Sequence, residues 1–501
     1  MCFLLGWHEV FVAGIYHGQS KPLDVNQFLA AFVGDILTLR ENGIDFKGGK
    51  IPVRIVGMSS DAPATCFVMN ITNHGGYYGC RKCTTKGVWT QSAAATSRGR
   101  NGGRVTFPEI DAPLRTDYSF RQRIQSLHHK GSRSIVEDIL SDTVADVILD
   151  YLHLVCIGSY KKLIFAWLQT PIGTKPPLTK NQITSISNYR LSVRCHVPSD
   201  FARKPRGIDE LARWKATELR FDLLYLAPVE FKPYLSENCY KHFLLLHVGI
   251  RLLAQKSTCK LNADLADSFL RRFVKVCVEL YGGEFISFNI HSLIHLAAEV
   301  KKHGSLDEMS AFPFENKLQI ITNMVKESGR PLQQIVRRLE DENRVGNVMP
   351  VSKTGCHMFP IQCVRLEKNH VLGPLLPELS SSKQFKKLCF LNSYITTKIP
   401  DNCVFIRGGS PIVILIENIV QLYSHIYLIG RRYLKYSDLY TYPFVSSTLN
   451  EIVVSELSTT LESFQYNNVQ FKAVHVPTAF PQAGSFYVSP LLNLDVTEYK
   501  I

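Results

Sequence analysis

The chain has 501 residues, 45% of them hydrophobic and 20% charged, which is enough for more than one core and excludes a disordered or collagen-like polymer. Fifty-seven Lys and Arg against 43 Asp and Glu leave a formal charge of +14, a surplus that suits a polyanion such as nucleic acid. The 13 cysteines are scattered with a single close C-x-x-C pair, which argues for a reducing nuclear or cytoplasmic setting rather than a disulfide framework.

In chain order, residues 9–16 alternate as a strand, and residues 23–42 place apolar side chains at Val25, Phe28, Leu29, Phe32, Ile36 and Leu39, a helical period. Residues 51–57 are β-branched, end at Gly57 and predict a buried strand leading into Asp61. Strand, helix, strand is an α/β pattern. Residues 85–104, rich in Gly, Ser, Thr and Ala, predict a loop, and the Pro-rich residues 170–179 a connector. From 180 to 345 the period is helical, with one helix lined by Leu265, Phe269, Phe273, Val276, Cys277 and Leu280 and stopped at Gly282. Another begins near Pro313, with Phe314, Leu318, Ile321 and Val325 on its apolar side. The tail reads as a small β-rich module with a hairpin at Gly408–Gly409 and strands over 425–430 and 471–476. The expected domains are therefore 1–168, 169–345 and 346–501. No window of about 18 apolar residues spans a bilayer, and residues 1–6 lack the marks of a signal peptide.

Several residues can carry chemistry. Asp61 follows a predicted strand, where α/β sheets place metal-binding acids, although an aspartate there also caps a helix. Cys80 and Cys83 supply two zinc ligands, which His74, His128, His129 or His153 would have to complete. Asp150 and His153, three apart, fit a metal or each other, and Glu315 sits in a first helical turn where it also suits the helix dipole. His291 and His295, spaced i, i+4, suit a metal, but apolar neighbours favour core histidines. Trp214, flanked by Arg213 and Lys215 and preceded by Arg203, Lys204 and Arg206, has the make-up of a single-strand stacking contact, against the commoner fate of a core tryptophan. Walker A, G-x-G-x-x-G, G-x-S-x-G and H-E-x-x-H motifs are missing.

The order of these pieces is more specific than any one of them. The run comprises Ser60-Asp-Ala-Pro-Ala64, Asn73-His-Gly-Gly-Tyr-Tyr-Gly-Cys-Arg-Lys-Cys83, Arg104-Val-Thr-Phe-Pro108 and Ala112-Pro-Leu-Arg-Thr-Asp117. It continues with Leu149-Asp-Tyr-Leu-His-Leu-Val-Cys156, Ala202-Arg-Lys-Pro-Arg206, Arg213-Trp-Lys-Ala-Thr-Glu218 and Phe312-Pro-Phe-Glu315. It resembles the transposases of CACTA (En/Spm-like) DNA transposons over about residues 8–345. The resemblance implies a partial ribonuclease H-like α/β core with a large helical insertion, beside the β-rich C-terminal module. It also implies DNA as partner, with acids that hold Mg²⁺ ions for strand cleavage and transfer. Asp61 matches the second acid, Asp150 and His153 the D-x2-H signature, and Glu315 the third acid with Asp150 as rival. Cys80 and Cys83 match a C-x-x-C loop that Zn²⁺ would support. The family's first acid lies before the segment matched here, so the expected product is a DNA-binding remnant without cleavage activity. An interaction scaffold using the C-terminal module and an active nuclease are the alternatives, and an oligomer is compatible with all three.

Overall fold

The computed structural model describes residues 2–3, 10–91, 102–169, 177–348, 364–390, 393–408, 411–478 and 484–495. They divide into two units, one of residues 1–155 and 283–360, the other of residues 156–282 and 361–501. The first unit is interrupted and resumed around one intervening segment. Its ends are 156 and 282 rather than 169 and 345, and it shares a unit with the C-terminal strands instead of standing alone.

In the first unit the helix Val25–Asn42 is capped by Asp24, whose carboxylate accepts from the amides of Asn26 and Gln27. It stops at Gly43, where φ is +67° and an added Cβ would lie 2.8 Å from the Ile51 carbonyl. Val33 is buried with Cys66, Met69, Phe120, Val136, Ile139 and Val147, and Leu29, Phe32 and Ile36 pack against them. The strand expected at 9–16 is confined, among the described residues, to β2 (Val10–Phe11), paired with β1 (Cys2–Phe3). The strand expected at 51–57 is also corrected. Ile44–Phe46 (β3) and Gly49–Ile51 (β4) form an exposed hairpin, and regular pairing resumes at Met58–Ser60 (β5). Pro52, without an N–H to donate, fits this gap in the ladder. The 85–104 loop contains the hairpin Val88–Gln91 (β6) and Gly103–Thr106 (β7), with residues 92–101 outside the described set. Met58–Ser60 pairs in parallel with Val147–Leu149 (β8), in the register Ser60↔Leu149. That mixed α/β arrangement is what positions the candidate site.

In the second unit the helices Glu237–Ala254 and Ala263–Tyr281 pack through Gly249, which lies against Leu270. The expected apolar stripe holds at Phe273 and Cys277, which are fully buried. The Pro-rich connector falls largely on residues 170–176, outside the described set. The C-terminal part is larger than a small module, with ten strands among its described residues, from Arg365–His370 (β9) to Phe486–Asp495 (β18). Cys403–Ile406 (β12), Ile412–Leu422 (β13), His425–Asp438 (β14), Ile452–Leu457 (β15), Val469–Pro477 (β17) and β18 close on themselves. The order is β13-β12-β17-β18-β15-β14, and the β13–β14 ladder completes a six-stranded barrel. The expected hairpin joins β12 to β13, its Gly409 lying outside the described residues. Strand β13 buries both faces, Val413 in one cluster and Ile414 and Ile416 in another, which explains its unbroken apolar run. Gly430 faces the bulge between Ile416 and Asn418, where a Cβ would collide with the Leu415 carbonyl.

Two histidines of this unit are buried neutral. His242 stacks on Phe273 and donates to its carbonyl at 2.9 Å, and burial lowers its pKa to about 4. His475 accepts from the Tyr433 hydroxyl at 2.8 Å, and burial lowers it to about 3. Both folded values lie below the unfolded value of about 6.5, so their contribution is complete above that pH and is lost as pH falls from about 6.5 toward 3–4. Denaturant melts of the Phe-substituted variants should show a flatter loss of stability over this window than the wild type.

A candidate metal centre beside paired carboxylates

Cys80 and Cys83 lie in a loop whose two thiols turn inward. The Cys83 amide donates to the Cys80 sulfur at 3.4 Å, and Arg115 donates its Nε to the Cys80 carbonyl at 3.1 Å. The opposite side comes from far along the chain. His291, on Phe288–Ser292, and His295, at the end of the next turn Leu293–His295, stand i, i+4 and so present both rings to one side. Sulfur to sulfur is 3.4 Å, Cys83 Sγ to His291 Nε2 3.3 Å, and Cys80 Sγ to His295 Nε2 3.6 Å. All four ligand atoms lie within 4.8 Å of one another and all four residues are buried. Tetrahedral zinc with Zn–S near 2.3 Å and Zn–N near 2.0 Å requires S···S of about 3.8 Å and S···N of about 3.5 Å, so the donor set fits with a few tenths of an ångström of adjustment. His291 Nδ1 lies 3.1 Å from the Phe107 carbonyl. Donating there leaves Nε2 as a lone pair aimed at the sulfurs, the outer-shell arrangement that fixes a ligating imidazole. Burial opposes ionisation of Cys80, but bonds from Cys83, His291 and His295 outweigh it and hold its thiol well below the usual range. The bond to Cys80, reinforced by burial, pushes the Cys83 thiol up, and metal binding would require its deprotonation.

The cysteines predicted as ligands are thus brought together, and the histidines predicted to complete them are not. His74 packs edge-on to Phe288, with ring centroids 5.7 Å apart. His128 donates Nδ1 to the Tyr78 carbonyl at 2.7 Å and, with His129, packs on Phe120. His153 is committed to carboxylates. The pair set aside as core histidines, His291 and His295, supplies the missing ligands. Their i, i+4 spacing was the signal, and their apolar neighbours are the wall of the site rather than a reason against it.

Beside this centre, Asp61 and Asp150 follow Ser60 and Leu149, paired residues at the C-terminal ends of two parallel strands. Asp61 also caps the helix Ala62–Val68, accepting from the Ala64 amide at 2.6 Å. Asp150 is buried, and both its oxygens are engaged. One accepts from the amides of Ala311 (2.7 Å) and Leu152 (3.2 Å), the other from the His153 amide (2.9 Å) and ring Nδ1 (2.6 Å). His153, in the π-wound helix Leu152–Tyr160, turns its Nε2 to Glu315 at 3.0 Å. Its bond to Asp150 raises the His153 pKa against the effect of burial, with the charges of Asp150, Glu315 and Asp61 adding to the rise. Burial would raise Asp150, but the bonds from His153 and Ala311 bring it below the usual range. Glu315 is 47% exposed on Phe312–Met324, where Ile321 and Met324 are buried while the expected Leu318 faces solvent.

The stacking tryptophan is corrected. Trp214 is 3% exposed, donates to the Gly207 carbonyl at 3.1 Å and lies under the Arg190 guanidinium, 3.9 Å from its ring centre. That arginine is itself buried against Glu230 and Asp222. Arg206 is bound to Glu218 and Glu210, and Lys204 to the carbonyls of Val197 and Pro198. Arg203, Arg213 and Lys215 are exposed.

The family described as a domain of unknown function (DUF8592) matches residues 369–491, from within β9 to within β18. No curated protein matches the chain. Among the described residues no helix is long and apolar enough to cross a membrane.

Proposed function

We propose that the chain is a transposase-derived DNA-binding protein whose first unit is held together by a zinc ion at Cys80, Cys83, His291 and His295. The observation that carries the reading is the register Ser60↔Leu149, which starts Asp61 and Asp150 from neighbouring strand ends, with Glu315 joined to Asp150 through His153. Acids at adjacent parallel strand ends are the arrangement a ribonuclease H-like core uses for phosphodiester chemistry, and the order of motifs over about residues 8–345 resembles CACTA transposases.

The acids do not fit a preformed Mg²⁺ clamp. Among the described residues, Cys80, Cys83, His291 and His295 alone bring three or more such ligand atoms within 4.8 Å of one another. Asp150 has spent its oxygens on Ala311, Leu152 and His153, so it serves to orient His153 and Glu315 is the better third acid. The function retained is DNA binding, driven by the +14 charge and by exposed cations such as Arg203, Arg213 and Lys215.

Fluorescence anisotropy with labelled duplex DNA tests this. Affinity should fall by about 10³-fold or more between 50 and 200 mM salt if six or more phosphates are contacted. Incubation with Mn²⁺ should leave the DNA intact. Cleavage abolished by Asp61→Ala would instead establish an active nuclease, and failure to bind at the lower salt would refute the proposal.

A further inference from the structure

We infer that Glu299 and Lys82 couple occupancy of the metal centre to the placement of Asp150 and of the helix that carries Glu315. The inference rests on zinc binding at the Cys/His cluster and would hold whatever the DNA chemistry. Lys82 lies between the two cysteines and is buried. Its ammonium meets Glu299 at 2.5 Å and donates to the Val144 carbonyl at 2.7 Å. Glu299 belongs to Leu296–His303, the helix that begins where His295 ends. Its second oxygen accepts the Leu149 amide at 3.0 Å. This carboxylate thus takes the place that a neighbouring strand's carbonyl would hold for β8, one residue before Asp150.

The same helix grips the approach to β8 along its length. His303 donates to the Ala145 carbonyl at 2.8 Å, and Lys302 pairs with Asp146 at 2.6 Å. Beyond β8 the chain of contacts continues. Asp150 accepts the Ala311 amide next to Phe312–Met324, and the Ser59 hydroxyl donates to the Met309 carbonyl at 3.1 Å. Each end of the Lys82–Glu299 pair is therefore fixed to a metal ligand within a few residues, while the carboxylate holds the acid-bearing strand. A buried ion pair tolerates its two charges only in good geometry. When the metal leaves and the cysteine loop relaxes, Glu299 either follows Lys82 and gives up the Leu149 amide or stays as a buried charge without its cation; either way the strand end that carries Asp150, the acceptor of the Ala311 amide, loses its fixed support.

Hydrogen exchange read by mass spectrometry on the full chain tests this, with zinc content measured in parallel. Chelating the zinc from wild type should speed exchange about tenfold or more in segments 147–153 and 309–315, beyond any change in the helix Val25–Asn42. In the double variant Lys82→Met with Glu299→Gln, which keeps an acceptor for Leu149 but removes both charges, chelation should loosen the cysteine loop and leave those two segments little changed. The same response in both proteins, or none in wild type, overturns the coupling. If the double variant fails to fold or to hold zinc, wild type decides alone: a change at 147–153 and 309–315 no larger than in Val25–Asn42 refutes the inference. Zinc missing from the zinc-supplemented wild type would refute the metal centre itself, whereas zinc bound without coupling refutes the relay only.

Discussion

Cys83→Ser is expected to empty the metal centre and to lower the unfolding midpoint of the first unit, while the separate core around Val33, Phe120 and Val147 stays folded. Its thiol stands 3.4 Å from Cys80 and 3.3 Å from His291, so its loss removes one corner of the tetrahedron and leaves the other three ligands buried against each other. Structural zinc contributes about 10–16 kcal/mol of apparent binding free energy in small zinc domains at neutral pH, and here that energy joins segments more than 200 positions apart. His291→Ala should act alike, because it deletes a ligand together with the bond to the Phe107 carbonyl. His74→Ala should retain the metal, since His74 lies outside the cluster. Metal analysis after gel filtration, paired with thermal melts, separates these outcomes. Full zinc in Cys83→Ser would contradict the assignment.

Glu451→Ala should cost the second unit about 3–5 kcal/mol, the range for breaking a buried ion pair by removing one partner. The carboxylate is fully buried and is met by His247 at 2.9 Å, Arg251 at 3.3 Å, the Tyr487 hydroxyl at 2.7 Å and the Tyr440 hydroxyl. Without it, Arg251 is left with the Leu224 and Pro490 carbonyls and the Tyr225 ring, and no carboxylate, for an interior charge. Burial alone would raise the Glu451 pKa, but Arg251, His247 and Tyr440 lower it to about 2. Because the folded value lies below the unfolded value of about 4.5, the stabilisation is complete above that pH and disappears as pH falls from about 4.5 to 2. Urea melts of wild type and variant should therefore differ widely at pH 7 and converge in acid, and a difference below about 1 kcal/mol at pH 7 would refute this account. The same contacts bear on the matched segment 369–491. Its buried Lys472 is paired with Asp401 and with Asp200, and its Glu451 with His247 and Arg251, so three of these four partners lie outside it. Expressed alone, that segment should show no cooperative transition by circular dichroism.

Where local chemistry decides the outcome, the sequence was readable. The helix within 23–42, the Gly282 stop and the strands at 425–430 and 471–476 each follow from nearby residues. The position of Asp61 after a strand was also readable, although β5 starts seven residues later than the β-branched run suggested. What was not readable depends on distant partners. Trp214 has the cationic neighbours of a nucleic-acid contact, yet Arg190, from a separate helix, lies over its ring and both are buried. His291 and His295 look like core residues until Cys80 and Cys83 arrive opposite them. The sharing of one unit by the helices of 156–282 and the barrel rests on buried charges such as Glu451 and Lys472, whose partners no periodicity announces.

The zinc K-edge X-ray absorption spectrum of the purified full chain tests the central claim most directly. Two sulfur scatterers near 2.3 Å and two imidazole nitrogens near 2.0 Å are expected. A shell without sulfur, or a protein that binds no zinc when supplied with it, would contradict the account.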